Sequence, residues 1–475
     1  MGRSVGPPSV FTEGRIVHKL SGSTLTVHAR GSQVEHKLER RGVAAEYPAA
    51  YSVGAGIVGY SYMVSVGKYL FQSPASYYTQ TKSWDLTPGY ETESILDFTH
   101  QISSGCLFCH TGTVNFVAGT TNQFEDPAFT PISCERCHGS PAVHLKNPVS
   151  GSIVNPARLA PNSRDSVCEQ CHLEGEVRIL NPGRDWWDLQ AGQPSESVFV
   201  AYLRTAPDGT LRAVSQSELL ARSQCARQSG GRLWCGTCHN PHDDASNREA
   251  AVRKVCLSCH SDLFTARRHP AAAECASCHM PRLRPTNVAH SAVTDHSIPR
   301  IPRAQPEESG GDLELKAWRE PDGALIQRDL GLAYFDQAAN KHSNSDLLRS
   351  YQILSQLPPE QRQDPIVEAD LASVLLAQDH TDLAIRMYQR ASAQEPSNAR
   401  YVYCLGTALE RAGKMEDAIK ELRRSIELDP SRPDAYLELA QIYGKAGRDA
   451  TSRIVIQEYL RFMPQNIELR SAGLR

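Results

Sequence analysis

The stretch from Cys106 to Met280 contains the pattern Cys-x-x-Cys-His six times. The copies read CLFCH (106–110), CERCH (134–138), CEQCH (168–172), CGTCH (235–239), CLSCH (256–260) and CASCH (275–279). They hold 12 of the 14 cysteines and six of the 17 histidines of the 475-residue chain. Gly, Pro and Asn punctuate the stretch, and long regular periodicity is scarce. Such a segment needs something other than its own side chains to build a core.

Each copy is the attachment signature of a c-type haem, in which two thiols form thioethers and the adjacent imidazole reaches the iron. Paired cysteines also occur in zinc ribbons and redox sites, but a zinc ribbon requires no histidine directly after the second cysteine. The pattern therefore predicts six covalent haems c. Their thioethers are predicted at Cys106, Cys109, Cys134, Cys137, Cys168, Cys171, Cys235, Cys238, Cys256, Cys259, Cys275 and Cys278, and their proximal ligands at His110, His138, His172, His239, His260 and His279.

The eleven remaining histidines are numerous enough to give every iron a second imidazole. His242 follows His239 by three residues and cannot easily reach the far face of the same iron, so we assign it to a neighbouring haem. Histidines that cluster near metal motifs are typical ligands. The predicted distal ligands are His18, His144, His242, His269, His290 and His296, with weaker candidates at His28, His36 and His100.

A second periodicity begins near residue 313. Pro396, Pro430 and Pro464 are 34 residues apart, and apolar pairs such as Leu405-Gly406 and Leu439-Ala440 recur with them. This period is typical of tetratricopeptide repeats, in which each helix pair buries its face against the next. Residues 313–360 resemble a divergent first copy with an insertion near KHSNSD, 341–346.

These patterns divide the chain into four segments. Residues 1–95 alternate apolar and polar positions and predict a β-rich cap, followed by a multihaem core over 96–300 with little regular structure. A Pro- and Gly-rich linker is expected at 301–312 and the helical repeat domain at 313–475. The predicted fold class is mainly α with a β-rich N-terminal part.

Composition limits the function classes. The net charge of −3 gives no electrostatic case for nucleic acid, and no apolar run approaches the length of a membrane-spanning helix. Cys225 and Cys404 are expected to pack as small apolar residues. The opening MGRSVGPPSVFTEG lacks the features of a signal peptide, so we expect a start inside a longer chain in preference to a removed leader.

Four phrases, CHGSPAVH, GGRLWCGTCHNPH, CASCHMP and DHSI, resemble the multihaem cytochromes c with doubled CXXCH motifs, particularly bacterial chains in which this region precedes tetratricopeptide repeats. The resemblance implies closely packed haems with two histidine ligands, electron transfer, and a periplasmic, outer-surface or extracellular location. It also implies a further motif upstream, so that a seventh haem could use His28 or His36.

Three functions follow as hypotheses. The first is an electron relay with repeats that dock a redox partner, another multihaem cytochrome or a second copy of the chain. The second is a reductase of a small nitrogen or sulfur oxyanion at a haem with an open axial site. The third is an assembly scaffold of a respiratory complex. No Cys-x-x-Cys-Lys occurs, and no catalytic residue is predicted.

Overall fold

The computed structural model describes residues 5–6, 12–54, 56, 58–205, 215–242, 248–261, 274–283, 293–301, 313–321 and 323–473. Two compact units result. We call Arg3–Pro131 together with Gln327–Arg475 the sheet–repeat unit, and Ile132–Ile326 the motif unit. The first Cys-x-x-Cys-His motif, at 106–110, therefore folds with the β-rich segment and the repeats, whereas the other five motifs lie in the motif unit.

The β-rich segment forms an antiparallel sheet in which β2 to β8 follow one another in chain order and β1 pairs with β5. Side chains of β3 alternate between buried and half-buried along most of its length, as the sequence pattern predicts for a strand with one covered face. The strands are β1 (Val5–Gly6), β2 (Gly14–His18), β3 (Ser23–Arg30), β4 (Gln33–Arg40), β5 (Val43–Val53), β6 (Gly59–Val66), β7 (Tyr69–Tyr78) and β8 (Ser83–Leu86). The predicted β-rich N-terminal part is confirmed.

The two end strands of this sheet meet at a glycine. A Cβ atom on Gly14 in β2 would lie 2.1 Å from the Trp84 ring of β8, so only glycine permits this approach. The Trp84 indole N–H donates to the Thr12 carbonyl oxygen at 2.6 Å. His36 packs beside the same ring and is fully buried. Aromatic packing therefore holds the sheet edges together.

A short hairpin and one helix complete this side of the unit. Helix α1 (Ser104–Phe108) carries the first motif, and β9 (Thr113–Phe116) pairs with β10 (Phe124–Thr130). Their apolar side chains form a buried cluster with the sheet: Met63, Leu70, Leu107, Phe124 and Ala128. The first motif is thus fixed to the sheet by a local core.

The motif unit consists of short elements. Its helices are α2 (Glu135–His138), α3 (Ala142–Lys146), α4 (Pro161–His172), α5 (Gln216–Arg222), α6 (Gln224–Gln228), α7 (Cys235–Cys238), α8 (Arg248–His260) and α9 (Cys275–His279), with 3-10 turns at Pro156–Arg158, Trp186–Asp188 and Ser195–Ser197. Its strands are β11 (Val177–Leu180), β12 (Phe199–Thr205), β13 (Arg282–Leu283), β14 (Val293–Thr294) and β15 (Glu314–Ala317).

A three-stranded antiparallel sheet in the order β11, β12 and β15 forms the most regular part of this unit. All seven residues of β12 are buried. The sequence placed Glu314–Ala317 at the start of the repeat domain, yet it pairs with β12 from Tyr202 to Thr205. Most of the predicted linker, 302–312, lies outside the described residues.

The C-terminal part consists of paired helices, as the 34-residue period predicts. They are α10 (Ile326–Lys341), α11 (Asn344–Ser355), α12 (Pro359–Arg362), α13 (Pro365–Ala377), α14 (Thr381–Gln394), α15 (Ala399–Arg411), α16 (Met415–Leu428), α17 (Pro433–Lys445), α18 (Asp449–Phe462) and α19 (Ile467–Gly473). The first repeat is longer than the later ones because its first helix, α10, is longer and because the short helix α12 is added before the next repeat. Gly406 lets α15 approach Leu422 of α16 closely, since a Cβ there would lie 2.8 Å from that side chain.

Among the described residues, no helix combines the length and apolar character needed to cross a membrane.

Candidate haem sites

Short helices present the paired cysteines of each motif. The first motif follows a cap in which the Ser103 hydroxyl accepts a hydrogen bond from the Cys106 amide, and the third and fifth motifs occupy the last turns of α4 and α8. Residues three apart lie on the same side of a helix, so the two thiols of a motif face one direction. No disulfide joins two of the cysteines in the described residues, which leaves each pair available for thioether formation.

Thiols of different motifs also lie next to one another. Cys168 of the third motif is hydrogen-bonded to Cys235 of the fourth, and this bond raises the pKa of Cys168 and lowers that of Cys235. Cys256 of the fifth motif makes a similar bond to Cys275 of the sixth, and burial raises the pKa of Cys256 to about 11. These contacts place the attachment sites of consecutive motifs side by side.

Two pairs of histidines face each other at a distance that suits a shared metal ion. The ring centres of His138 and His242 are 5.9 Å apart and their planes are inclined by 20°. Those of His239 and His296 are 6.1 Å apart with an inclination of 33°. A metal ion held in line by two imidazoles lies about 2 Å from each ligating nitrogen, which separates the ring centres by about 6 Å. The spacing of both pairs therefore matches that of two axial histidines on one haem iron.

Hydrogen bonds at Nδ1 orient three of the histidine rings. His138 donates to the Val154 carbonyl oxygen at 2.7 Å, His296 to that of Thr294 at 2.7 Å, and His279 to that of Pro299 at 2.9 Å. An imidazole whose Nδ1–H is engaged in this way offers Nε2 to a metal. The tautomer needed for axial ligation is thus set by the backbone around each ring.

The donor set does not suit structural zinc. Within the part of the chain that the structure describes, no group of three or more His, Cys, Asp or Glu side chains is arranged to hold a metal ion. A structural zinc site requires four such ligands in a tetrahedron. The second and fourth motifs each combine a thiol pair and its adjacent histidine with a second histidine opposite, a set that fits covalently attached haem.

The other predicted distal ligands have different surroundings. His144 contacts the Ser152 hydroxyl through Nδ1 at 2.8 Å, and His18 is buried in the β2–β3 hairpin, where its Nδ1 lies 2.8 Å from the Ser21 hydroxyl. His269 and His290 lie outside the described residues. For His18 and His144 the axial role stays a prediction.

The weaker candidates take part in the sheet. His28 lies 3.3 Å from Glu46, and His100 stacks on Tyr90 with ring centres 4.1 Å apart. His36 has no exposed surface, and its Nδ1 lies 2.6 Å from the Ser73 hydroxyl.

Some residues around the sites were not predicted. The Arg136 guanidinium, inside the second motif, lies 4.8 Å from the ring centre of Trp187, and Arg164 lies 4.8 Å from that of Trp234, which directly precedes Cys235. The Asn240 side-chain oxygen lies 3.2 Å from His242 Nδ1. The phrase CHNPH contained this last signal, since Asn commonly bonds to neighbouring groups in turns.

Comparison with known protein families agrees with the motifs. Residues 227–264 match the doubled CXXCH motif, 74–139 match cytochrome c554 and c-prime, and 369–433 and 406–467 match the tetratricopeptide repeat. The chain is therefore a multihaem c-type cytochrome joined to tetratricopeptide repeats.

Individual relatives match parts of the chain. The multiheme cytochrome MtrA of Shewanella baltica (strain OS185) is 22% identical over 215 residues, which are 38% of this chain and 61% of that protein. The TPR repeat-containing thioredoxin TTL4 of Arabidopsis thaliana is 33% identical over 70 residues, 15% of this chain and 10% of that protein. The chain thus spans less than two thirds of either relative.

Solved structures of MamA also show a partial likeness. The structure "MamA 41-end from Desulfovibrio magneticus RS-1" has 15% sequence identity and a TM-score of 0.26, and covers 30% of this chain and 84% of that chain. The "MamA RS-1 ArsTM double mutant" has 19% identity and a TM-score of 0.27, with 30% and 78% covered.

Proposed function

We propose that the chain relays electrons outside the cytoplasm through six haems c, each with two axial histidines, and that its repeats dock a redox partner. The observation that carries the proposal is the spacing of the His138–His242 and His239–His296 ring pairs. A haem iron with two strong ligands exchanges single electrons, whereas one with an open position binds small substrates.

The ring pairs support a ligand assignment for two of the haems. His138 and His242 would hold the iron of the haem bound at Cys134 and Cys137. His239 and His296 would hold that of the haem bound at Cys235 and Cys238. His239 and His242 are three residues apart, a span of at most about 10 Å of backbone. One short segment would thus supply axial ligands to two irons and hold these irons close together.

The thiol contacts extend this arrangement. Cys168 against Cys235 brings the third motif to the fourth, and Cys256 against Cys275 brings the fifth to the sixth. Cys256 also interacts electrostatically with Cys238 of the fourth motif. With the shared segment at His239 and His242, the five motifs of the motif unit would thus form one continuous group of adjacent sites. Closely spaced sites of one chemical kind favour electron relay over chemistry at a single iron.

Spectroscopy of the purified ferric protein tests the relay. We expect electron paramagnetic resonance (EPR) to show low-spin iron throughout, with no change on addition of nitrite or hydroxylamine. A high-spin signal that either compound perturbs would contradict the relay and favour the reductase hypothesis.

Single substitutions test the ligand pairs. His242→Ala and His296→Ala should each convert one low-spin signal to high-spin, because one imidazole is removed from each of two different irons. His380→Ala, at an exposed position in the repeats, is the matched control and should leave the spectrum unchanged. Low-spin spectra identical to that of the wild type in both variants would show that the pairs are not axial ligands.

Two further parts of the proposal do not depend on the ring pairs. The extracytoplasmic location follows from the chemistry of c-type attachment and the likeness to the multiheme cytochrome MtrA. Docking of a partner follows from the usual role of stacked helix pairs, whose extended surfaces bind other chains. Fractionation of the native cells and crosslinking of the intact protein would test these two parts separately.

A further inference from the structure

The repeats hold the β-rich part through one recurring position. Ser397, Ser431 and Gln465 are spaced by 34 residues. The two serines precede the first helices of two successive helix pairs, and Gln465 precedes the final helix. We call the turns around these three residues the repeat rim. Each turn contacts the N-terminal part of the same unit, which makes the rim a continuous attachment surface.

The outer two contacts involve the backbone. A Cβ on Gly119 would lie 2.4 Å from the Ser397 carbonyl oxygen, so the two backbone segments touch there without a side chain between them. At the other end the Gln465 side-chain N–H donates to the Glu46 backbone carbonyl oxygen at 2.7 Å, and the Gln465 side-chain oxygen accepts from the Glu46 backbone amide. These bonds extend the edge of the sheet onto the rim.

The middle contact involves the loop that carries the first haem motif. The Ser431 hydroxyl accepts a hydrogen bond from the Gln101 amide at 2.6 Å and lies 2.7 Å from the Asn122 side-chain oxygen. The Thr121 amide donates to Asp429 at 3.0 Å. Asn122, Asp429 and Ser431 have no exposed surface. Gln101 and Asn122 are the two ends of the segment that encloses α1 and the motif, so one turn of the rim holds both ends.

Both ends also return to the same strand. The Ile102 amide donates to the Leu70 carbonyl oxygen at 3.1 Å, and the Asn122 side-chain amide donates to that same oxygen at 2.7 Å. The segment 101–122 is therefore a loop closed at its base between β7 and the rim. The buried polar groups at its base find their other partners on Asp429 and Ser431, so the rim and β7 hold the loop together.

From this geometry we infer that the repeat rim, together with β7, positions the first haem site at Cys106–His110. The inference rests on the proposed function, because it needs a haem at this motif, and it adds a role for the repeats in holding that haem. The other five motifs belong to the motif unit.

The experiment compares two serines at equivalent rim positions in the full-length ferric protein. Ser431→Ala removes a side chain that holds the loop base, whereas Ser397→Ala leaves the carbonyl contact to Gly119 intact. We expect amide hydrogen exchange in residues 101–122 to be about 5- to 50-fold faster in Ser431→Ala than in Ser397→Ala. The EPR signal of the first haem should shift in Ser431→Ala and stay unchanged in Ser397→Ala.

A reference variant assigns that signal. Replacement of both Cys106 and Cys109 by alanine removes the first haem, so its signal is the difference from the wild type. Gln101→Ala removes the hydrogen bond to the Ser431 hydroxyl from the loop side. This variant tests the inference if Ser431→Ala fails to fold.

The inference would be overturned if Gln101→Ala, and Ser431→Ala where it folds, showed the same exchange rates and the same first-haem signal as Ser397→Ala. Failure of the relay proposal is seen separately, as high-spin iron in the wild-type protein.

Discussion

Asp97 offers a quantitative test of how the sheet and the last repeat helix are joined. Its carboxylate is 5% exposed and accepts hydrogen bonds from the Ile467 amide at 2.8 Å and, more weakly, from that of Glu468 at 3.5 Å, at the start of α19. The Phe98 amide donates to its other oxygen at 2.8 Å. Burial raises the pKa of Asp97 from 3.8 to about 6, against the opposing effect of these amides. The folded state therefore binds the proton more tightly than the unfolded state.

The sign of the pH dependence follows. Between about pH 4 and pH 6 the folded protein holds more of this proton than the unfolded chain, so the contribution of Asp97 to the free energy of unfolding falls as pH rises. A shift of about two pKa units corresponds to about 3 kcal/mol. Asp97→Asn keeps the shape but cannot ionise. The variant should therefore gain up to about 3 kcal/mol relative to the wild type between pH 4 and pH 7.

Urea unfolding followed by far-ultraviolet circular dichroism measures this difference, since the repeats contribute much of the helix. Asp382→Asn is the control, because Asp382 is exposed in the first turn of α14, and its effect should change by less than about 1 kcal/mol over the same range. A difference for Asp97→Asn that stays constant or falls with pH would refute the reasoning. It would mean that the amides of α19 stabilise the carboxylate more than burial destabilises it.

Three further predictions concern the sheet–repeat unit. Burial lowers the pKa of His36 to about 3. The contribution of this group to the free energy of unfolding should therefore rise by up to about 5 kcal/mol as the pH increases from 3 to 6.5. His36→Gln should lose this pH dependence when unfolding is measured across that range. Gly119→Ala meets both a φ of +86° and the Ser397 carbonyl oxygen and should lower the free energy of unfolding by about 2–4 kcal/mol. The control Gly89→Ala, whose φ is +101° in open space, should lower it by about 1–2 kcal/mol. Gln465→Ala leaves two backbone groups of Glu46 without their partner and should lower the free energy of unfolding by about 1–3 kcal/mol, measured by urea unfolding. A change near zero would show that water replaces both hydrogen bonds.

The sequence identified those features whose chemistry depends on neighbours along the chain. Thioether attachment needs two thiols and a histidine within five residues, so CLFCH and its five relatives predicted a multihaem cytochrome, as the family matches confirm. The 34-residue spacing of Pro396, Pro430 and Pro464 predicted the repeats in the same way, because each helix pair is a local unit. Alternation along β3 predicted the strand.

Contacts between distant residues were beyond the sequence. It gave His242 and His296 as distal ligands but no partner for either, since His138 and His242 are separated by 104 residues and nothing local links them. It also placed all six motifs in one segment, whereas the first motif packs with the sheet and the repeats. The local pattern thus determined where haem can be attached and where repeats form. Only the tertiary structure decided which rings face each other and which haem site is mounted on the repeat rim, because buried polar groups such as Asn122 and Ser431 must find their hydrogen-bond partners across the fold.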